Sequence, residues 1–406
     1  MKKIMILGAG VYQLPLIQKA SQLADVIIVA PEVPEKVFQY AYKVFELDVR
    51  DKEEILKLAK KEKIKGIITD QTDIPVKTVA YVAEEMGLPG IGYNTSCLFT
   101  NKYMMREKLK KLNIPVLPYR LVKTTSEAKK FFNEIDAPMI IKPVDNQGSR
   151  GLFRITSQDE IDDCFEESLS YSSVGQVVLE KYASGREFVV EALSYNNKYK
   201  ELILGDTIYF DNKEVFSAKR RVFPSEANKE LVKKVSKLNE QIIKGFELKQ
   251  GISHSEYIMD GNELYLIETA ARGGGVFISS DLISLCTGLQ TEEFLVKMAL
   301  GELEQIPKIE KDLCHAGYIA FYLPEGIVKR VEGVEKIKAL KYVHRHLLDE
   351  IYVGLKTKPM KDKTSRYSII VSGQNRKELE KNIKYIKDTL IVDVETNDGI
   401  QNPIWE

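Results

Sequence analysis

Two carboxylates, Glu256 and Glu268, lie twelve residues apart on either side of Asp260-Gly261-Asn262. An Asp-Gly pair in a short turn between apolar runs reads as a hairpin, across which the two acids lie opposite one another. Close carboxylates repel unless a proton or a cation sits between them, and hard oxygen ligands of this kind suit magnesium shared with phosphate oxygens. Upstream, Lys142 closes the apolar run Met139-Ile140-Ile141 just ahead of Pro143. A lysine at the end of a buried strand is costly to desolvate unless it meets an anion. The small polar loop Asp145-Asn146-Gln147-Gly148-Ser149-Arg150-Gly151 follows. Such a loop bends over phosphates and offers backbone N–H groups, although a plain hairpin turn has much the same composition. Lys102 precedes this region in an expected helix, and Arg272 with Gly273-Gly274-Gly275 follows it. A guanidinium suits a phosphate or carboxylate, and glycines let the backbone approach a ligand.

Phosphoryl transfer needs cations for the polyphosphate, carboxylates for the metal and a site that excludes water. All three requirements are met in order along one region. Between its two ends lies Val177-Val178-Leu179-Glu180-Lys181-Tyr182-Ala183-Ser184-Gly185-Arg186-Glu187. A strand that runs into acid, base and aromatic and then turns at glycine presents backbone groups to a purine edge and a carboxylate to ribose hydroxyls; read plainly, it is a strand–turn–strand with solvated charges. His254 shares a strand face with Glu256 by two-residue alternation, so it reaches the same cleft or packs beside it. His315, His344 and His346 show no usable ligand pattern.

These residues need a scaffold, and apolar periodicity supplies one. Short apolar runs at Ile4–Leu7, Val26–Val29, Val44–Leu47 and Gly66–Thr69 alternate with amphipathic stretches such as Lys52–Lys63, which indicates a parallel, doubly wound sheet. A helix is expected over Ser96–Leu112, stopping before Pro115. From about Tyr119 to Leu303 the pattern is β-rich, with helices over Gln158–Ser170 and over Glu226–Gly245, the latter capped by Ser225. The last hundred residues carry strands near Ala316–Leu323 and Tyr367–Val371 and a helix near Lys377–Leu390. Gly8-Ala9-Gly10 sits where a dinucleotide fold places its phosphate turn, but Gln13 holds the third glycine position and Glu32 is poorly placed for a ribose. A tight strand-to-helix turn is the better reading; alternatively the turn borders a small-substrate pocket.

At 406 residues the chain has room for two or three domains. Lys plus Arg and Asp plus Glu stand at 59 each, without the basic surplus of a nucleic-acid or anionic-membrane surface. Cys97, Cys164, Cys286 and Cys314 are isolated thiols that fit a reducing, cytoplasmic setting. The start, Met1-Lys2-Lys3, leads directly into a strand without the apolar stretch of a secretion signal, and no segment reaches membrane-spanning length.

In this order the residues resemble the ATP-grasp superfamily, in the branch of carboxylate–amine ligases, carbamoyl-phosphate synthase halves, biotin carboxylase and the purine-biosynthetic ligases. The resemblance implies a mixed α/β and α+β chain: a Rossmann-like domain over 1–93, a two-part grasp domain over 94–308 and a small α+β domain over 309–406. The grasp domain would divide into a small part over about 115–182 and a large part over about 183–308. By the same resemblance Lys102 and Lys142 contact the α- and β-phosphates of ATP, and Gly148 and Ser149 belong to a mobile loop above them. Glu180, with backbone groups of Lys181 and Ala183, reads adenine, and Glu187 holds the ribose. Glu256 and Glu268 carry Mg2+, or Mn2+. Arg272 faces the transferring phosphoryl group, and Lys219 stands near the γ-phosphate, with Arg220 and Arg221 as carboxylate clamps. The family often writes its second metal strand as Glu-x-Asn-x-Arg; here Ala270 replaces the asparagine, so water or a bidentate Glu268 must serve.

The implied activity is ATP-dependent joining of a small-molecule carboxylate to an amine through an acyl phosphate, with ADP released. Alternatives are a bicarbonate-using carboxylase or carbamoyl-transferring enzyme, a nucleotide-binding protein without turnover, and an NAD-dependent oxidoreductase on the first domain. Related enzymes often form homodimers.

Overall fold

The computed structural model describes residues 1–212, 215–360 and 365–406. The first unit is a parallel sheet ordered Lys43–Glu46, Asp25–Ala30, Lys3–Leu7, Gly66–Ile68. Alternation along its strands sends residues to two separate cores. Ile4, Ile6, Val26 and Ile28 pack with the helix Leu14–Leu23 and with Phe294, Leu295 and Met298 of the distant helix Thr291–Ala299. Met5, Leu7, Ile27 and Val29 pack against the helices Lys52–Glu62 and Val76–Glu85. Apolar residues at every strand position are what a sheet covered on both faces requires.

The expected helix over 96–112 is two helices, Tyr93–Thr100 and Lys102–Lys111. Asn101 between them is extended (φ −132°, ψ 110°), and its side chain accepts a hydrogen bond from Met104 N at 2.9 Å. It ends one helix and caps the next. The break puts Lys102 at the first position of a helix, where its side chain turns back toward the neighbouring lobe.

That small lobe is an antiparallel sheet ordered Tyr119–Val122, Val177–Lys181, Met139–Pro143, Phe153–Ile155, with the helices Thr125–Ile135 and Ile161–Ser170 over one face. The large lobe is one antiparallel sheet of eight strands, ordered Glu263–Ala270, Gly251–Asp260, Arg186–Tyr195, Lys198–Tyr209, Ala218–Phe223, His315–Phe321, Tyr367–Gly373, Val343–His346. Strands from beyond residue 308 thus extend the same sheet that carries the acids. A further three-stranded sheet, Ile327–Glu332, Ile391–Thr396 and Gly399–Gln401, shares a core with the helix Arg376–Thr389.

The helix expected from Glu226 begins at Lys229. Asn228 caps it, accepting from Leu231 N at 2.9 Å, while the Ser225 hydroxyl is drawn to Asp206 at 2.7 Å. Its apolar face, Val235, Ile242 and Ile243, packs against Phe188, Val190 and Tyr257 of the large sheet. Among the described residues no helix is long and apolar enough to cross a membrane.

Candidate active site

The small-lobe sheet and the large sheet enclose a cavity of about 350 Å³. Ten of the residues singled out from the sequence line it. Lys142, Glu180, Lys181 and Ala183 come from the small lobe and the turn beyond it; Gly148 and Ser149 come from the loop above. Lys102 enters from its helix, and Glu187, Glu256 and Glu268 from the large sheet.

Glu180 is 3% exposed and lies between two cations. It accepts from Lys142 Nζ at 2.6 Å and from Arg106, whose second nitrogen reaches it at 3.2 Å. Burial pushes its carboxyl upward, but Arg106 and Lys142 outweigh that and hold it at about 2. Lys142 is pushed down, first by burial and then by Arg106 and Lys102, with Glu180 opposing. Lys142, Arg106 and Lys102 thus gather around Glu180 and Glu268, each cation paired with an acid. Both Glu180 oxygens are engaged by cations, so its side chain holds the lysine in place. The Lys181 N–H is also taken, by Pro118 O at 2.8 Å.

The two acids meet as expected, but through an irregularity. Continuing the pairing of Asp260 with Glu263 would set Glu256 opposite Ile267; a register shift at Glu256/Tyr257 sets it opposite Glu268 instead. The residue passed over, Ile267, gives its carbonyl to Arg106 at 2.6 Å. A bulge beside a site that re-aims one side chain is a common device. Glu268 pairs with Lys102 Nζ at 2.8 Å, and Lys102 also donates to Asn146 O at 2.7 Å. Glu256 is bonded by Arg221. No group of three or more His, Cys, Asp or Glu that could hold a metal occurs among the described residues. Two opposed carboxylates are hard oxygen donors of the kind that would suit a magnesium ion.

Beneath Glu256 lies a buried chain of which sequence reasoning had named His254 and Arg221 but not Glu191. Glu191, fully buried, accepts from Gly274 N at 3.0 Å and meets His254 Nδ1. His254 Nε2 lies 3.0 Å from Arg221 and 3.1 Å from Glu256. Burial lowers the His254 pKa, but Glu191 and Glu256 outweigh it and the net direction is up. Arg221 is the member of the Lys219-Arg220-Arg221 run that reaches the acids. Lys219 is not brought to the cavity: its ammonium bonds Glu406 and lies 3.6 Å from Asp211, beside a separate hollow. Its expected place near the γ-phosphate gives way because Arg221 occupies the position facing Glu256. Arg220 pairs with Glu380 at 2.8 Å. Arg272 also lies outside this cavity, held by Asp73 of the first domain at 2.8 and 2.7 Å.

A second cavity, about 990 Å³, opens between the first domain and the lobes. It shares Lys102, Asn146, Gln147, Arg150 and Glu268 with the first. Gly8, Ala9 and Gly10 line it, in keeping with a substrate-bordering turn. The turn is closed on itself: Gly10 N donates to Gln13 Oε1 at 3.0 Å, and Gln13 Nε2 donates to Asp70 O at 3.0 Å. Asp73 and Tyr93 stand on its other walls.

Two β-rich lobes close on a cavity lined by these lysines and opposed acids, and an ATP-grasp domain model matches residues 135–281, so this part of the chain is an ATP-grasp domain. Among particular proteins, the chain is 24% identical over 320 residues to the carbamoyl phosphate synthase large chain of Clostridium acetobutylicum, covering 74% of this chain but only 29% of that one. Its fold matches the L-amino acid ligase from Bacillus licheniformis with a TM-score of 0.81 at 20% identity, over 98% of this chain and 99% of that one. It also matches the biotin carboxylase domain of the Hydrogenobacter thermophilus 2-oxoglutarate carboxylase, a dimer in complex with MgADP, ADP and bicarbonate. That TM-score is 0.77 at 17% identity, covering 99% and 91%.

Proposed function

We propose that this protein is an ATP-dependent carboxylate–amine ligase that makes an amide through an acyl phosphate and releases ADP. The observation that carries the reading is the pairing of Glu256 with Glu268 on the wall of a cavity that also holds Lys142 and Lys102. Glu256 and Glu268 would hold magnesium, which would supply charge neutralisation for the transferring group. Lys142 and Lys102 contact the phosphates, and the loop bearing Gly148 and Ser149 covers them. Glu187 takes the ribose; adenine is read by backbone groups near Lys181 and Ala183, with Glu180 fixing Lys142 and Arg106 behind them.

A substrate carboxylate oxygen attacks the γ-phosphorus as the bond to ADP breaks. The amine nitrogen then attacks the acyl carbon, losing a proton as inorganic phosphate leaves. Water must be kept out between the two steps. The 145–151 loop is tied to its surroundings: Ser149 Oγ donates to Phe216 O at 2.6 Å and Gln147 bonds Thr72 and Asp73. The second cavity, far larger than bicarbonate requires, supports an organic acid and an amine as the joined molecules.

The test is ADP release across amino acids, other small carboxylic acids and bicarbonate, each with and without amines. Release that depends on an organic acid, with amide formed when amine is present, supports the reading; dependence on bicarbonate alone moves the protein to the carboxylating or carbamoyl-forming type. Glu268→Gln keeps the fold but lowers ADP release by about a hundredfold or more through loss of an anionic ligand. Full activity in that variant overturns the metal assignment.

A further inference from the structure

We propose that the first-domain turn Asp70–Asp73 is a positioning element that couples closure of the 145–151 loop to the placement of Arg272. The inference rests on the ligase reading and on the expectation from the sequence resemblance that Arg272 faces the transferring group; here Arg272 stands outside the nucleotide cavity, on Asp73.

One turn reaches both partners. On the loop side, Gln147 Oε1 accepts from Asp73 N at 2.7 Å, and Gln147 Nε2 donates to Thr72 Oγ1 at 3.0 Å. On the arginine side, the Asp73 carboxylate takes two parallel bonds from Arg272, at 2.8 and 2.7 Å, the geometry that fixes a guanidinium plane. Asp70 Oδ1 accepts from Gly273 N at 2.8 Å, and Gln71 Oε1 accepts from Phe277 N at 3.0 Å. Asp73 thus meets the loop through its backbone and the arginine through its side chain.

The segment so held does not keep its shape unaided. Val276 and Phe277 sit at φ +57° and +59°, a region that β-branched and bulky residues rarely enter, and Gln71 facing them is at +58°. Such conformations persist where surrounding contacts over-determine them. A side chain on Gly273 would meet Ser279 Oγ at 2.1 Å, and one on Gly274 would meet Glu191 Oε1 at 2.4 Å. The segment runs on into a single π-helical turn, Ile278–Leu282. Backbone that is strained, crowded and pinned by another domain takes its position from that domain. When the loop lifts, the Asp73 N–H and the Thr72 hydroxyl lose Gln147, and Arg272 loses its register.

The experiment is a double-mutant cycle of Gln147→Ala and Asp73→Asn in the full-length protein. It reads kcat, KM for ATP and the ratio of amide formed to ADP released. Coupling predicts that each single change lowers kcat about tenfold with little change in KM for ATP, that the amide-to-ADP ratio falls, and that the double variant is no worse than the poorer single. Multiplying effects, or unchanged kcat with only a lowered melting temperature, reduce the turn to a domain-docking contact and overturn the proposal. Hydrogen exchange with a non-hydrolysable ATP analogue gives a readout free of the chemistry. Gln147→Ala should expose the amides of Gly273–Leu282 to faster exchange, and unchanged protection there overturns the coupling even if the wild-type protein proves to join other substrates or none.

Discussion

Glu180 and Asp70 are both almost fully buried, at 3% and 1% exposed, and both sit at a junction between lobes, yet they are treated in opposite ways. Glu180 has Arg106 and Lys142 against its oxygens, and despite burial its carboxyl is held at about 2. Asp70 has no cation bonded to its oxygens; burial lifts its carboxyl to about 6, against the smaller lowering effects of Ser279, the Gly273 N–H and Arg272. The nucleotide end is therefore a lattice in which buried charge is matched by charge. The turn that meets Arg272 carries an unmatched acid, and a cost with it.

The largest effect should come from unmatching the matched site. Glu180→Gln strands two buried cations and should lower unfolding free energy by about 3–5 kcal/mol in denaturant titration; a loss below 1 kcal/mol would show that the pair is not compensated as drawn. The pH signs follow. Glu180 has a depressed pKa, so its contribution is present above the ordinary value near 4.5 and is lost as pH falls toward 2. Asp70 has a raised pKa, so its cost grows as pH climbs from about 4 to about 6 and is complete above that. Asp70→Asn should stabilise the fold at pH 7.5, by up to about 3 kcal/mol, and flatten stability between pH 4 and 6. Destabilisation at pH 7.5 instead would mean that the carboxylate is compensated after all.

Two smaller changes sharpen the contrast at the nucleotide end. Lys142→Ala leaves Glu180 with Arg106 and should raise the ATP requirement about tenfold, the worth of one charge-assisted contact; unchanged nucleotide affinity would remove Lys142 from the phosphate site. Asn101→Ala removes the cap that orients Lys102 and should cost about 1 kcal/mol in thermal unfolding with a slight rise in KM for ATP. A melting temperature equal to wild type would show that tertiary packing alone holds the break.

Much of the nucleotide cavity was legible because its residues lie on regular elements whose faces follow from period and turn. The Asp-Gly turn fixed the hairpin, and Lys142 was conspicuous as a cation ending an apolar strand. The bulge at Ile267 was not legible, since nothing local announces an extra residue; the acids meet because of it. Arg106 could have been found, as it lies four residues beyond Lys102 on the same helix face. The Asn101 break also carried a signal, an N-cap residue opening a polar turn. Glu191 and the Asp70–Asp73 turn gave none: each looks like an ordinary acid until chain segments 83 and about 200 residues away fold against it. Lys219 and Arg221 share a strand and a charge, and only the partners at each position separate them.

The eight-stranded sheet has a consequence for anyone cutting the chain. The strand Ala218–Phe223, which bears Arg221, is paired on its far side by His315–Phe321. A fragment ending at residue 308 would strip that neighbour away and leave a row of bare amides and carbonyls beside the acids. Such an edge invites pairing with another molecule. Shortened versions of this protein should therefore clump before they reveal anything about which half does the work.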